Sequence, residues 1–340
     1  MITLEDIVNL PSGRIFICKT QDPSGKPYII ESTEMQDVLG KENPEVLTTD
    51  NIELIKKNLV PYEVKWLMTV STQLGCGYAC KFCDVPLIPF RGNLSMDLIM
   101  SQIRLIFEQS PNVKRSDKVK IGFARMGEPA LNWINVLGAI KQLKGHDFGD
   151  FRFLPCYNSI VPDRLIHDAS PFDILSEVLK IKEVVFEGFL HIQLSVNSTD
   201  EDQRTWLFGG AKVIPLRQLI DFFDSKKITD RTITLNFICG DGWQLDIDKL
   251  KGLDPLKFAI KLIPLNETTR GNKYELKPYA NYRNFDLLKK RGDEIRNIGL
   301  NVVADTIAKC EEAGLCCGQL AHIYMKKYRG GYNEAEKKWA

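Results

Sequence analysis

The sequence lacks the features that mark several classes of protein. Lys and Arg number 45 against 44 Asp and Glu, so the net charge of +1 provides no overall field that would attract nucleic acid. No apolar run approaches the roughly 18 residues that a membrane-spanning helix needs, and the first ten residues lack the basic and apolar stretches of a secretory signal. With 44% hydrophobic and 26% charged residues, the composition is that of a globular protein. We therefore expect a cytoplasmic protein without membrane contact.

Cysteine, in contrast, is plentiful. The nine cysteines are Cys18, Cys76, Cys80, Cys83, Cys156, Cys239, Cys310, Cys316 and Cys317. An odd number of cysteines in a chain of this length without a secretory signal argues against a disulfide framework. Metal or redox chemistry is the better hypothesis.

From residue 63 onward, short β-branched or apolar runs alternate with segments of helical spacing. Strands are predicted at 64–71, 119–124, 151–156, 189–196, 232–239 and 258–265, with a further strand near 301–307. Helices are predicted after Ser95, at 131–143, 172–179, 216–223 and 285–298, with a short one near Leu250. Such alternation predicts an α/β fold with a parallel sheet, here a partial (β/α)6 barrel whose functional groups lie at the carboxyl ends of the strands.

Three regions follow from this pattern. Residues 1–62 do not follow the repeat and are predicted to form a small, separate N-terminal accessory module. Residues 63–308 form the predicted barrel. Residues 309–340 are predicted to be a C-terminal loop and a basic tail.

The array Cys76, Cys80 and Cys83 (C-x3-C-x2-C) follows the first barrel strand. A structural zinc site usually has four ligands, whereas three thiolates on one loop suit a 4Fe-4S cluster with one open iron. A zinc site with a distant fourth ligand and three unrelated thiols are the alternatives.

A second motif, RMGEP, follows the second strand. Gly127 permits close approach of the backbone, and the Glu128 carboxylate can accept hydrogen bonds from an ammonium group. A Gly-Glu-Pro turn without other motifs is usually structural, so its meaning depends on the cysteine array.

Together these motifs identify a family. The cysteine array is the signature of the radical S-adenosylmethionine (SAM) superfamily. Five further segments extend the similarity from Val64 to Leu320: STQLG before the array, NLS before the next helix, MGEPALN, LIPLN and CGQL. The sequence resembles a divergent member of the radical-SAM adenine methyltransferases that modify carbon 2 or carbon 8 of an adenosine in large-subunit ribosomal RNA.

The resemblance implies a 4Fe-4S cluster, SAM and a reductant such as flavodoxin or ferredoxin. In the family, SAM binds the open iron, and one electron cleaves it to a 5′-deoxyadenosyl radical. By the resemblance, the SAM-binding residues are Gly127, Glu128, Cys156, Ser195, Asn197 and Asn266. Cys156 and Asn197 stand where the family has serine and histidine. Glu53 is a candidate for an acidic residue that the family has ahead of the first strand.

Cys317 in CGQL matches the family's catalytic cysteine. In the family this cysteine takes a methyl group from one SAM, the radical from a second SAM removes a hydrogen from it, and the carbon radical adds to the adenine. A second cysteine then forms a disulfide with the first and releases the product. Here Thr69 stands at the position of that second cysteine, and a hydroxyl cannot form a disulfide.

Three functions therefore remain open. The first is methylation of an adenine in RNA. The second is the same radical chemistry on another acceptor, such as a nucleotide or small metabolite, which Thr69, the unmatched N-terminus and the neutral charge favour. The third is a zinc-stabilised binding module without catalytic activity.

Overall fold

The computed structural model describes residues 1–39, 52–145, 148–280, 285–304 and 317–328. Ten strands form one continuous sheet, and two further short strands form a separate ribbon. The strands are β1 (Thr3–Leu10), β2 (Gly13–Gln21), β3 (Pro27–Gln36), β4 (Trp66–Thr69), β5 (Gln73–Leu74), β6 (Gly92–Asn93), β7 (Arg115–Gly122), β8 (Asp150–Ser159), β9 (His191–Ser195), β10 (Ile233–Cys239), β11 (Phe258–Pro264) and β12 (Asn301–Ala304). The ribbon pairs β5 with β6.

The barrel part of the sheet is parallel throughout. Its order is β4, β7, β8, β9, β10, β11 and β12, so each strand pairs with the next strand of the repeat. The predicted parallel sheet is therefore confirmed. Residues 305–307 of the last predicted strand lie outside the described residues.

The first three strands extend this sheet. They are antiparallel to one another, and β3 pairs antiparallel with β4, where Thr33 lies opposite Thr69. The N-terminal residues lie outside the βα repeat, as predicted. Their strands nevertheless extend the barrel sheet beyond β4, its first strand. Their status as an accessory module stays a prediction.

Helices cover the sheet. They are α1 (Ile52–Lys57), α2 (Met96–Gln109), α3 (Trp133–Gly145), α4 (Pro171–Lys180), α5 (Glu201–Leu207), α6 (Leu216–Asp224), α7 (Thr269–Lys273), α8 (Phe285–Arg296) and α9 (Gln319–Tyr328). Ser95 caps α2 as predicted, because its Oγ accepts a hydrogen bond from the Leu98 amide at 3.3 Å. The buried sides of the helices and strands join in one large hydrophobic core.

Helices α1, α5, α7 and α9 were not predicted. Helices α5 and α7 are short, and their capping residues, Asp200 and Thr268, lie in segments where no helical period is visible. The prediction of a loop after Cys317 is wrong for residues 319–328, which form α9 and pack against β3. Within the described ranges, no helix is long and apolar enough to cross a membrane.

Candidate active site

The three cysteines of the array lie on a loop, residues 75–84, which we call the thiol loop. The segment after β11 holds this loop in place. Arg270 donates from Nε to the Cys80 carbonyl at 3.2 Å and from Nη2 to the Ala79 carbonyl at 2.8 Å. The Asp84 carboxylate in turn accepts from the amides of Thr269 and Arg270 at 2.9 and 2.8 Å. The first and sixth barrel strands therefore cooperate to position the thiols.

The thiols are half-buried and lie near one another. Burial raises the pKa of Cys76 to about 12. Burial also raises the pKa of Cys83 well above its usual value, and the Cys317, Cys80 and Cys76 thiols add to that rise. The structure thus brings Cys317 beside the thiol loop, although it is distant in sequence.

The donor set suits an iron-sulfur cluster better than a single ion. Zinc needs ligands that converge on one point about 2.3 Å from each sulfur. Cys76, Cys80 and Cys83 supply three thiolates from one loop, whereas a structural zinc site usually has four ligands. A 4Fe-4S cluster takes each thiolate on a different iron, so its ligands can stand further apart. The residues present therefore fit such a cluster, and the assignment of Cys76, Cys80 and Cys83 as its ligands stays a prediction.

Glu128 lies beside the thiol loop, at the carboxyl end of β7. Its carboxylate accepts hydrogen bonds from Ser159 Oγ at 2.6 Å, the Ala130 amide at 3.0 Å and the Ile160 amide at 3.2 Å. Burial nevertheless raises the pKa of Glu128 to about 7. The motif and the thiol loop share one hydrogen-bond acceptor, because Gln73 Oε1 accepts from the Glu128 amide and also from the Gly77 amide at 3.4 Å.

The backbone conformation and the close packing at position 127 require a glycine. Its φ is +105°, and a Cβ there would lie 2.7 Å from Gln73 Cβ. Gln73 Oε1 accepts a hydrogen bond from the Glu128 amide at 2.9 Å, so the two segments are in direct contact. Any larger residue at position 127 would push the motif away from the segment that leads into the thiol loop.

On the third barrel strand, Ser159 and not Cys156 contacts Glu128. Ser159 ends β8, whereas the predicted strand stopped three residues earlier, at Cys156. Cys156 is buried and pairs with Gly122 and His191, deeper in the sheet. Ser159 was missed because the polar residues that end β8 resembled a loop. The role of Cys156 in binding SAM stays a prediction.

The remaining predicted SAM residues follow the fourth and sixth barrel strands. Ser195 is the last residue of β9, and Asn266 stands two residues beyond β11; both are half-buried. Asn197 is buried and borders a cavity of about 140 Å³. Its Oδ1 accepts from the Ile238 amide at 3.1 Å, but its Nδ2 has no hydrogen-bond partner among the described residues. This buried donor at the edge of a cavity fits an acceptor atom of a nucleoside such as that of SAM.

Cys317 is held by contacts with two other parts of the chain. Its Sγ lies 3.8 Å from the Ala124 carbonyl oxygen, directly after β7. The following residue, Gly318, has φ +83°, and a Cβ there would lie 2.7 Å from the Val85 backbone. The start of α9 is bound by Glu31, which accepts from the amides of Gly318 at 3.3 Å and Ala321 at 2.6 Å.

Arg125 completes this arrangement. Its Nε donates to the Glu31 carboxylate at 2.7 Å, and both side chains are buried. Burial raises the pKa of the Cys317 thiol, and the positive charge of Arg125 opposes that rise. Sequence reasoning missed both Glu31 and Arg125. Glu31 is a charged residue within the largely buried strand β3, and Arg125 begins the RMGEP motif, but neither feature shows that the two residues pair.

Two predicted positions lie elsewhere. Glu53 is on the exposed helix α1, where it pairs with Lys56 at 3.0 Å, so the structure does not bring it to the site. Thr69 ends β4, and its hydroxyl lies 2.6 Å from the Thr33 hydroxyl. Cys316 lies outside the described residues, and the described cysteines are all free thiols.

Comparison with known proteins finds many relatives of one kind. A probable dual-specificity RNA methyltransferase RlmN from Dictyoglomus turgidum is 25% identical over 297 residues, which cover 84% of this chain and 78% of that protein. Its counterpart from Dictyoglomus thermophilum is 24% identical over 332 residues, covering 94% and 86%. The dual-specificity RNA methyltransferase RlmN of Desulfosudis oleivorans is 26% identical, covering 81% and 69%. No family model matches the chain.

A solved structure shows the same fold. The radical SAM methyltransferase from Sphaerobacter thermophilus has a TM-score of 0.63 and 17% identity to this chain, covering 94% of it and 80% of that protein. The chain is thus similar over most of its length to proteins named as RlmN methyltransferases, as the motifs predicted. The predicted partial barrel is confirmed.

Proposed function

We propose that this protein is a radical SAM methyltransferase that modifies an adenine base in RNA, with Cys317 as the residue that carries the methyl group. The observation that carries this proposal is the close approach of the Cys317 segment to the end of the thiol loop, where a Cβ on Gly318 would lie 2.7 Å from the Val85 backbone. The named relatives act on RNA, which supports RNA as the substrate.

The residues present suit the two groups that this chemistry requires. Cys76, Cys80 and Cys83 would hold a 4Fe-4S cluster, with flavodoxin or ferredoxin as the reductant. Gly127 and Glu128 would hold the methionyl end of SAM, and Ser195, Asn197 and Asn266 would contact its nucleoside. When bound, the two groups supply the 5′-deoxyadenosyl radical.

The residues of this protein set the ionisation state and the position of the Cys317 thiol. A thiol accepts a methyl group as the thiolate, and burial disfavours the thiolate. Arg125 offsets part of that penalty through its positive charge. Glu31 holds both Arg125 and the start of α9, so the activating charge and the sulfur are fixed to the same carboxylate.

A second candidate is the same radical chemistry on a small molecule or free nucleotide. Thr69 favours it, because its hydroxyl is bound to Thr33 and cannot form the disulfide that would release an RNA adduct. An enzyme that forms no such adduct needs no second thiol at this position.

The deciding experiment incubates the cluster-reconstituted protein with SAM and a reductant, with and without RNA. The proposal expects S-adenosylhomocysteine and 5′-deoxyadenosine to form, and mass spectrometry of the RNA to show a methyladenine. Cys317→Ala should abolish the RNA product, whereas the control Cys18→Ala, which changes a fully buried thiol in β2, should retain it. Turnover that is indifferent to RNA would favour the second candidate.

A further inference from the structure

A group of cations surrounds one aromatic ring beside the thiol loop. Lys81 Nζ lies 3.9 Å from the centre of the Tyr274 ring and 4.7 Å from that of Trp206. The guanidinium carbon of Arg270 lies 5.5 Å from the Tyr274 ring centre, and Lys273 Nζ lies 5.9 Å from it. We call these five residues the cationic patch. Its three positive charges are brought together by direct contact with the same ring.

The patch is built on the loop that carries the thiols. Lys81 stands between Cys80 and Cys83 in the chain. The Lys81 amide donates to the Leu207 carbonyl at 2.9 Å, which joins the thiol loop to the end of α5. From α7, Arg270 binds the Cys80 carbonyl, as described above. Helices that follow the fourth and sixth barrel strands therefore fix the cations against this loop.

The charges of the patch are not neutralised by an ion pair. Within the described ranges, none of its three cations pairs with a carboxylate. The buried Asp84 carboxylate accepts hydrogen bonds from backbone amides, and Asp202 and Glu275, the acids closest in sequence to the two rings, are exposed. Like charges held this close repel one another, so an anionic partner against them is favourable.

The patch is accessible and compact. Trp206 is 45% exposed, and Lys273 is exposed as well. Aromatic residues and arginine are enriched at the centres of protein interfaces, and complementary charge speeds association. A surface of five residues suits the small interfaces of transient electron-transfer complexes, whereas a nucleic acid needs a longer series of phosphate contacts. The features of the patch therefore favour an acidic protein over RNA.

We infer that the cationic patch is the docking surface for the protein that supplies the electron, and that this donor presents acidic side chains to it. One electron would pass from the donor, which is oxidised, to the group held by the thiol loop, which is reduced; no bond forms or breaks. Electron transfer is faster over shorter distances, and Lys81 lies between two of the proposed cluster ligands. This inference rests on the proposed radical SAM function and adds the site of its reductant.

The test measures docking and electron transfer with the full-length, cluster-reconstituted protein. Reduced flavodoxin and reduced ferredoxin serve as acidic donors, and dithionite serves as a small reductant that needs no docking surface. Stopped-flow absorbance follows reduction of the cluster, and titration calorimetry with the oxidised donors follows binding. For at least one donor, Lys81→Glu and Lys273→Glu should each lower the rate and the affinity by about tenfold, because each reverses a charge of the patch. Reduction by dithionite should be unchanged.

Controls separate the loss of docking from general effects of charge. Lys226→Glu is the matched variant, since Lys226 is also an exposed lysine, 5.0 Å from the centre of the Phe222 ring, but precedes β10 at the opposite end of the sheet. It should retain the rate and the affinity, and so should Lys81→Arg, which keeps the charge. Higher ionic strength should weaken docking of the parent protein more than that of Lys81→Glu.

Three results would overturn the inference. One is failure of both donors to reduce the parent protein, and another is a rate that both patch variants leave unchanged or that Lys226→Glu lowers equally. The third is a loss confined to RNA affinity, which would show that the patch binds RNA instead. Formation of 5′-deoxyadenosine with dithionite and methylation of RNA report on the proposed function, so either idea can fail without the other.

Discussion

Glu31 and Arg125 form an ion pair of 2.7 Å in the interior of the protein, with side-chain exposures of 0% and 5%. Glu31 belongs to the N-terminal strand β3, and Arg125 follows the second barrel strand. The same carboxylate accepts two amide hydrogen bonds from the start of α9. One buried carboxylate therefore connects the N-terminal strands, the barrel and the segment that carries Cys317.

Removal of one member of this pair should be costly. Glu31→Gln leaves the Arg125 charge buried without its counterion, so we expect a loss of about 3–5 kcal/mol in the free energy of unfolding. Chemical denaturation monitored by circular dichroism measures this loss.

The double variant Glu31→Gln/Arg125→Met should be less destabilised than Glu31→Gln. The matched control, Glu53→Gln, removes an exposed pair and should change stability by less than about 1 kcal/mol. Equal losses in both single variants would contradict a special role for Glu31.

Replacement of the array should remove iron. In Cys76→Ala/Cys80→Ala/Cys83→Ala, anaerobically purified protein should contain no iron-sulfur cluster and no absorbance near 400 nm, because three thiolates are the proposed ligands. Metal analysis of the parent protein also tests the zinc alternative directly. The control Cys18→Ala changes a fully buried thiol in β2 and should retain the cluster. Full iron content in the triple variant would disprove the assignment.

Gly127→Ala should impair binding of SAM. The new Cβ would collide with Gln73 and adopt an unfavourable positive φ, so the Gly-Glu-Pro segment has to move. Equilibrium binding of SAM to the reconstituted protein measures the effect. Gly149→Ala is the matched control, since Gly149 also has a positive φ, of +79°, but no atom within 4 Å of the added Cβ. Both variants should lose stability, but only Gly127→Ala should lose affinity for SAM.

Thr69→Cys tests the release step. If RNA is methylated through Cys317 and no other thiol resolves the adduct, the parent protein should accumulate a covalent complex with RNA. Thr69→Cys should then release it, because a thiol can form the disulfide with Cys317 that a hydroxyl cannot. Intact-protein mass spectrometry follows the complex, and Thr69→Ser serves as the control without a thiol. Free turnover with an unmodified Cys317 would show that the enzyme works without a methyl carrier.

His191 should make stability depend on pH. Burial, with nearby cations, lowers its pKa in the folded protein to about 3, whereas the unfolded value is about 6.5. The folded state thus keeps the imidazole neutral while the unfolded state takes up a proton. This contribution to stability is complete above pH 6.5, and it decreases by up to about 1.4 kcal/mol for each pH unit below that. His191→Gln should show a smaller decrease between pH 6.5 and 5 in chemical denaturation; an unchanged slope would contradict the prediction.

Much of the barrel could be read from local patterns. In a strand such as β7, residues that face the core alternate with residues that do not. A helix such as α2 begins with a capping serine. Residues that are close together in the sequence therefore specify both kinds of element. The thiol array and the Gly-Glu-Pro motif could be placed at one end of the sheet, because parallel strands bring their carboxyl ends together.

The contacts around Cys317 could not be read in this way. Glu31, Arg125 and Cys317 are separated by long stretches of chain, and a buried ion pair leaves no periodic signal. Ser159 was missed because the polar residues that end β8 resembled a loop, and its hydrogen bond to Glu128 joins two different strand ends. Local sequence determines where a strand or helix begins, but burial and pairing of distant side chains depend on how those elements pack. Only the tertiary structure therefore decided which acid binds the segment that carries Cys317: the buried Glu31 accepts hydrogen bonds from the Gly318 and Ala321 amides, whereas Glu53 is exposed.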